Sequence, residues 1–176
     1  MRILLVEDDP MIGSSLRAAL RLEGMAVDWV RDVAAAQTTL ASERFDLVLL
    51  DLGLPPGRTA SNLTEPGTDG LSLLRHIRSE GVQTPAVILT MSDAQDDLAA
   101  ALRAGVKGYL LKDMEPEDVI AAIGRAARGE LVVAPALTLK LAQMLQAGAG
   151  DPERRDLLSS LTTLSRELDS NLGIVL

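Results

Sequence analysis

Glu7, Asp8, Asp51, Thr90 and Lys112 are the side chains whose types and settings could do chemistry together. Each follows or closes a short apolar run. Ile3-Leu4-Leu5-Val6 leads into Glu7-Asp8-Asp9, and Leu47-Val48-Leu49-Leu50 into Asp51-Leu52. Ala86-Val87-Ile88-Leu89 ends in Thr90, and Gly108-Tyr109-Leu110-Leu111 in Lys112. Runs of this kind suit fully buried parallel strands. In an open parallel sheet all carboxyl ends lie on one edge, which is where such folds place their ligands. An acid pair, a third acid, a hydroxyl and a lysine then converge on one shallow site.

Carboxylates packed this closely either share protons or hold a cation. With no cysteine and a single histidine, the ligands must be oxygens, which suits a hard ion and points to Mg²⁺. Mg²⁺ beside a nucleophilic carboxylate suits phosphoryl transfer, because Asp can accept a phosphoryl group as an acyl phosphate. The metal neutralises developing charge, while Lys112 adds a point charge and Thr90 a hydroxyl. Singly, each residue has a plainer role as a cap, a turn former or a solvated strand end. Their convergence favours the chemical reading.

The elements that must position these groups alternate along the chain. Strands are predicted over Arg2 to Val6, Met25 to Val30, Phe45 or Asp46 to Leu50, Pro85 to Thr90 and Lys107 to Leu111. Helices are predicted from Pro10 to Glu23, Val33 to Ser42, near Asp69-Gly70 onward, Ala94 to Arg103 behind a Ser92-Asp93 cap, and Pro116 to Arg128. Glycines at positions 24, 105 and 129 stop three of them. Met11, Ile12, Leu16, Ala19, Leu20 and Leu22 supply the expected buried side of the first helix. Leu71, Leu74 and Ile77 do so for the third. Five strands alternating with helices predict a doubly wound parallel sheet, helices on both faces.

Between the third strand and third helix lies an irregular stretch, residues 53–68, rich in Pro, Gly and small polar residues. It is long for a compact α/β domain, by roughly ten residues, and is expected to be mobile. Its Asn62-Leu63-Thr64 triplet matches a glycosylation acceptor, given little weight in a chain read as cytoplasmic. Beyond Gly129 the alternation breaks. Ala136 to Ala147 reads as a helix with Leu137, Leu141, Met144 and Leu145 as its apolar stripe. Residues 148–152 read as a linker, and Asp156 to Val175 as a tail unable to bury a core alone.

Composition bounds the partners. Of 176 residues, 47% are hydrophobic but only 2% aromatic, so the core must be aliphatic. A net charge of −8 argues against a surface dominated by nucleic acid. The absence of cysteine excludes disulfides and zinc-thiolate sites. No run reaches membrane-spanning length, and the N-terminus is unlike a signal peptide, so a soluble, cytoplasmic chain is expected.

Over roughly residues 1 to 129 the chain resembles the receiver domain of two-component response regulators. The resemblance rests on Glu7-Asp8, Asp51-Leu52-Gly53-Leu54-Pro55, Thr90 and Tyr109-Leu110-Leu111-Lys112, with the family's spacing from Thr90 to Lys112. It implies a flavodoxin-like sheet of five strands in the order 2-1-3-4-5 with a C-terminal helical extension. It implies that Asp51 is the phosphoacceptor. Mg²⁺ would be held by Glu7, Asp8, Asp51 and the backbone carbonyl of Gly53. Thr90 and Tyr109 would be the switch pair, Tyr109 turning inward on phosphorylation, and Lys112 would contact the phosphoryl group. Asp9 falls one place beyond the acid pair and outside the metal ligands.

Two features depart from the family. Asp113 stands where many members have a proline on a cis bond. The halves also resemble different branches: residues 1 to 80 the winged-helix OmpR branch, Leu102 to Leu145 the NarL branch bearing a LuxR-type helix-turn-helix. The expected organisation is a receiver over 1–129, a helical linker over 130–150 and a tail over 151–176. Leu161-Thr162 and Arg166-Glu167 in that tail faintly resemble the opening of a LuxR-type DNA-binding domain, which would make the tail a remnant of a truncated output domain. The implied partner is a sensor histidine kinase, with homodimerisation through the fourth and fifth helices and fifth strand or through the helix at 136–147. The chain alone is not expected to bind DNA. The alternative is the receiver part of a DNA-binding regulator whose output domain lies outside this chain. An Mg²⁺-dependent phosphatase would want a second acid soon after Asp51, where Gly53 stands.

Overall fold

The structure, a computed structural model, describes residues 1–55 and 69–147. Its strands are β1 (Arg2–Val6), β2 (Ala26–Val30), β3 (Leu47–Leu50), β4 (Ala86–Thr90), β5 (Gly108–Leu111) and β6 (Val132–Val133). Its helices are α1 (Pro10–Leu22), α2 (Val33–Ser42), α3 (Gly70–Ser79), α4 (Gln95–Arg103), α5 (Pro116–Ala127) and α6 (Thr138–Ala147). All strand pairs are parallel, in the order β2-β1-β3-β4-β5-β6. The class is the expected one, with a sixth strand added at the β5 edge.

Successive side chains on a strand point to opposite faces, and the buried residues sort accordingly. Leu4, Val6, Val48, Leu50, Ile88 and Tyr109 face one core, closed by α2, α3, α4 and Leu137. Ile3, Leu5, Leu47, Leu49, Val87 and Leu110 face the other, closed by α1 and α5. Both cores are mainly aliphatic, with Phe45 and Tyr109 in the first, and a large buried apolar side chain is worth about 1.5–3 kcal/mol when removed from water. A sheet covered on both faces leaves only its edges for polar chemistry.

The helix starts depend on aspartates. Asp9 accepts from the backbone N–H groups of Met11 and Ile12, with Pro10 opening α1. Asp32 caps α2 through Ala35 and Asp69 caps α3 through Ser72. Gly105 and Gly129 follow α4 and α5 with φ of +78° and +91°, a conformation that L side chains resist.

Four local expectations are corrected. The Ser92-Asp93 cap is instead Ala94, with Ser92 Oγ accepting from its N–H at 3.3 Å. Met11 and Leu22, expected on the buried side of α1, are 79% and 87% exposed. The segment after Gly129 does not go directly into a helix: Val132–Val133 joins the sheet and Pro135–Leu137 makes a 3-10 turn. The α6 stripe is not free for a partner, because Leu137 is buried and Leu141 and Met144 pack on the same core; the side chain of Leu145 lies outside the described residues. The loop at 56–68, with its Asn62-Leu63-Thr64 triplet, and the tail at 151–176 also lie outside the described residues. No described peptide bond is cis, so Lys112–Asp113 is trans. No described helix is long and apolar enough to cross a membrane.

Candidate functional site

Parallel register brings the expected residues to one edge. Val6 pairs with Leu50, Leu50 with Ile88, and Thr90 with Leu111, so Glu7, Asp51, Thr90 and Lys112 follow or close adjacent strands. Among the described residues, Glu7, Asp8 and Asp51 each offer a carboxylate oxygen within 4.8 Å of the others. Lys112 Nζ lies 2.7 Å from Glu7 Oε2 and 3.0 Å from Asp51 Oδ2. All three bridging side chains are under a tenth exposed.

Burial decides the electrostatics. Removal from water pushes the Glu7 carboxyl above its ordinary value, although Lys112 and the Asp9 N–H pull the other way. The same burial opposes the charge on Lys112, but hydrogen bonds to Glu7 and Asp51 outweigh it and hold the ammonium above its usual range. Three carboxylates cluster beside one lysine that contacts only two of them, so one more cation is electrostatically favoured there. An all-oxygen donor set of this charge fits Mg²⁺ better than a soft metal.

Neighbouring elements hold the loops in place. The Trp29 indole donates to the Glu7 carbonyl at 2.8 Å, and the Arg31 guanidinium donates to the Asp8 carbonyl at 2.8 and 3.2 Å. Trp29 lies so close over α1 that a Cβ at Gly13 would fall 2.2 Å from the indole ring. Gly70 is tighter still in consequence. Its Cβ would stand 2.2 Å from the Asp51 carbonyl oxygen, and its N–H donates to Leu52 O at 3.2 Å. The start of α3 is thereby pressed against the backbone that carries Asp51. A Cβ at Gly53 would lie 3.6 Å from Asp51 Oδ2, which puts this glycine beside the carboxylate.

The far side of the site holds Thr90 and Tyr109. Thr90 is buried, and its Oγ1 accepts from the Ser92 N–H at 3.1 Å. Tyr109 is already inside, fully buried, and its hydroxyl donates to Ser92 O at 3.0 Å. The expectation of a ring that starts outward is therefore not met in this structure. Burial, with Asp97 and Asp93 nearby, pushes its hydroxyl up to about 12. A cavity of about 380 Å³ lies beside Lys112, lined by Met11, Ile12, Leu16, Leu89, Met114 and Val119.

Residues 3–124 match the family model of the response regulator receiver domain. The chain belongs to that family. As a receiver domain of two-component response regulators it is a signalling switch. Response regulators work with sensor histidine kinases. The response regulator protein PmrA of Pseudomonas aeruginosa is 40% identical over 128 residues, 73% of this chain and 53% of PmrA. The nitrate/nitrite response regulator protein NarL of Escherichia coli K12 is 33% identical over 172 residues, 94% of this chain and 72% of NarL. The chain thus spans about half the length of one relative and under three quarters of the other. Both branches that the two halves resemble appear among these relatives.

Solved structures agree. The BeF3-activated N-terminal receiver domain of Klebsiella pneumoniae RstA covers 73% of this chain and 99% of its own at TM-score 0.63 and 33% identity. A LuxR-family response regulator from Aurantimonas covers 81% of this chain and 95% of its own, with TM-score 0.70 and 28% identity.

Trp29, Arg31 and Gly70 were missed in the sequence. Gly70 had a signal, a glycine directly after an Asp cap, but its reason is a clash visible only once the loop closes. Trp29 and Arg31, at the end of β2 and just beyond it, had none, since what they touch is backbone.

Proposed function

We propose that Asp51 accepts a phosphoryl group from a sensor histidine kinase. Mg²⁺ would be held by Glu7, Asp8, Asp51 and the Gly53 carbonyl. The observation that carries this reading is Lys112 Nζ within 3.0 Å of both Glu7 and Asp51, all three side chains under a tenth exposed. One Asp51 oxygen forms the bond to phosphorus as the donor's bond to phosphorus breaks and its electron pair leaves with the donor. Lys112 is placed to follow the charge that moves onto the phosphoryl oxygens. Thr90 supplies a hydroxyl from the neighbouring strand end, and Tyr109 fixes the loop behind it. Bound Mg²⁺ offsets the repulsion between the carboxylates and the incoming phosphoryl group. The chain catalyses its own phosphoryl transfer and dephosphorylation rather than turning over a separate substrate.

The output is a protein–protein contact made in the cytoplasm. A homodimer through the face built from α4, β5 and α5 is the form we favour, with β6 covering the β5 edge there. We take residues 1–129 as the receiver, 130–150 as a linker that contributes β6 and α6, and 151–176 as a tail. The name of a further relative, the transcriptional regulatory protein QseB of Escherichia coli O157:H7, and the unmatched share of PmrA and NarL favour a second reading, the receiver part of a DNA-binding transcription regulator. This chain alone, acidic overall, does not bind DNA specifically in either reading. A gel shift at low salt tests that, and selective submicromolar binding would overturn it.

The metal reading has a direct probe. Trp29 is the sole tryptophan, and its indole holds the Glu7 carbonyl. Titration with Mg²⁺ is expected to change its fluorescence saturably, and Asp8→Ala to abolish the change while the fold stays intact. An unchanged titration in the Asp8 variant would remove Asp8 from the metal site. Phosphorylation by acetyl phosphate, followed by peptide mapping, is expected to place the group on the peptide containing Asp51; any other peptide contradicts the assignment.

A further inference from the structure

The loop between β4 and α4 is held from three sides, and one of them lies outside the residues that match the family. Thr90 Oγ1 takes the Ser92 N–H, and Tyr109 donates to Ser92 O. Ser92 Oγ in turn donates to the Asp97 carboxylate on α4. Asp93, the next residue, is gripped by Lys140 of α6: Nζ lies 2.6 Å from Asp93 O and 2.7 Å from Asp93 Oδ2. The contact holds the Asp93 carboxyl below its ordinary range. It joins residues 47 apart in sequence, and α6 begins well after residue 124, where the family match ends.

The grip is seated rather than free-swinging. Leu137 is buried just before α6, and Leu141 and Met144 pack on the core that also holds Tyr109 and Leu98. Lys140 therefore leaves a docked helix whose apolar side is already fixed. It reaches a loop whose other end carries the Thr90 hydroxyl. A lysine that takes both a backbone carbonyl and a carboxylate restrains the loop's main chain, which a bond to the side chain alone would not do.

We propose that Lys140 is a positioning residue for the phosphorylation site, coupling α6 to the loop that carries Thr90. This rests on the reading of Asp51 as phosphoacceptor. When Thr90 is drawn toward a phosphoryl group, Ser92 and Asp93 move with it, and the seat of α6 changes. Coupling between two sites is reciprocal, so a firmly held α6 also sets how readily Asp51 is phosphorylated. An exposed ion pair alone carries little, and Asp93 is 70% exposed, so the expected change in rate is about two- to fivefold.

The test uses the full chain with acetyl phosphate and Mg²⁺, reading phosphorylation by intact mass and amide exchange over residues 91–97 and 135–147. In the parent chain, phosphorylation is expected to change protection in both segments. In Lys140→Met, which keeps the aliphatic stem, α6 should stop responding while the loop still responds, and the phosphorylation rate should shift by about two- to fivefold. Lys140→Arg, which keeps a cationic donor for both the Asp93 carbonyl and its carboxylate, should keep the α6 response. A purely structural Lys140 would lower thermal stability in all variants and leave the response in place. That result, or a parent whose α6 ignores phosphorylation while its loop responds, overturns the inference alone. No mass gain in the parent chain overturns the reading of Asp51, and the inference falls with it.

Discussion

The two edges of this sheet carry the same device in different surroundings. At the carboxyl edge Lys112 bridges Glu7 and Asp51, all three side chains under a tenth exposed. At the amino edge Arg2 bridges Asp28 and Glu43, with side chains 40–47% exposed. Arg2 also lies over the Phe45 ring at 4.6 Å, and its N–H donates to Asp46. One cation and two carboxylates thus occur twice, on strands that share the same sheet. Water screens the Arg2 cluster, and each partner can leave without stranding another. In the Lys112 cluster every charge depends on the others, and burial pushes the Glu7 carboxyl up. Charge alone does not make a reactive site. Charge that water cannot reach does.

The largest effect expected from breaking this contrast is at Lys112. Lys112→Met leaves Glu7 and Asp51 buried without their cation, and should lower stability by about 3 kcal/mol at neutral pH. Mg²⁺ should return part of that, and more than it adds to the parent chain. Urea unfolding with and without Mg²⁺ measures both, and an Mg²⁺ effect equal to the parent's would contradict the picture of competing cations. Next comes Gly70→Ala, whose Cβ would stand 2.2 Å from the Asp51 carbonyl oxygen. Overpacking there should cost about 1–3 kcal/mol and slow phosphorylation by moving Asp51. Normal stability and rate would show that the α3 start yields without disturbing the strand end.

Glu7 gives the pH dependence. Its folded pKa is raised, so the stability tied to its protonated form is complete below the unfolded value of about 4.5 and is lost as pH rises through the folded value. Without Mg²⁺, the parent chain should therefore lose stability relative to Glu7→Gln as pH rises above about 4.5. Parallel stability curves for the two chains would place Glu7 in ordinary solvent. The smallest effect is at the other edge, where Arg2→Met should cost little and depend on salt. A larger, salt-independent loss would erase the contrast between the edges.

The legible parts were those set by short-range pattern. Apolar runs ending in polar groups marked β1, β3, β4 and β5, and the pattern of buried strands placed Glu7, Asp51, Thr90 and Lys112 on one edge before any coordinates. Val132–Val133 was missed because a two-residue strand has no periodicity, and only a free β5 edge makes it pair. Met11 and Leu22 were misassigned because apolar character does not tell which side of α1 meets the sheet. Tyr109 was placed on the right strand, but its buried rotamer was not legible, since it depends on whether Ser92 O waits for its hydroxyl. The Lys140–Asp93 grip joins residues that only the finished fold brings together.

The central claim is that Asp51, at the closed edge, is the residue that takes the phosphoryl group. Intact mass of the parent and of Asp51→Asn, each incubated with acetyl phosphate and Mg²⁺, tests it most directly. The account expects the parent to gain the mass of one phosphoryl group and the Asn chain, still folded, to gain none. An equal gain in the Asn chain would contradict it.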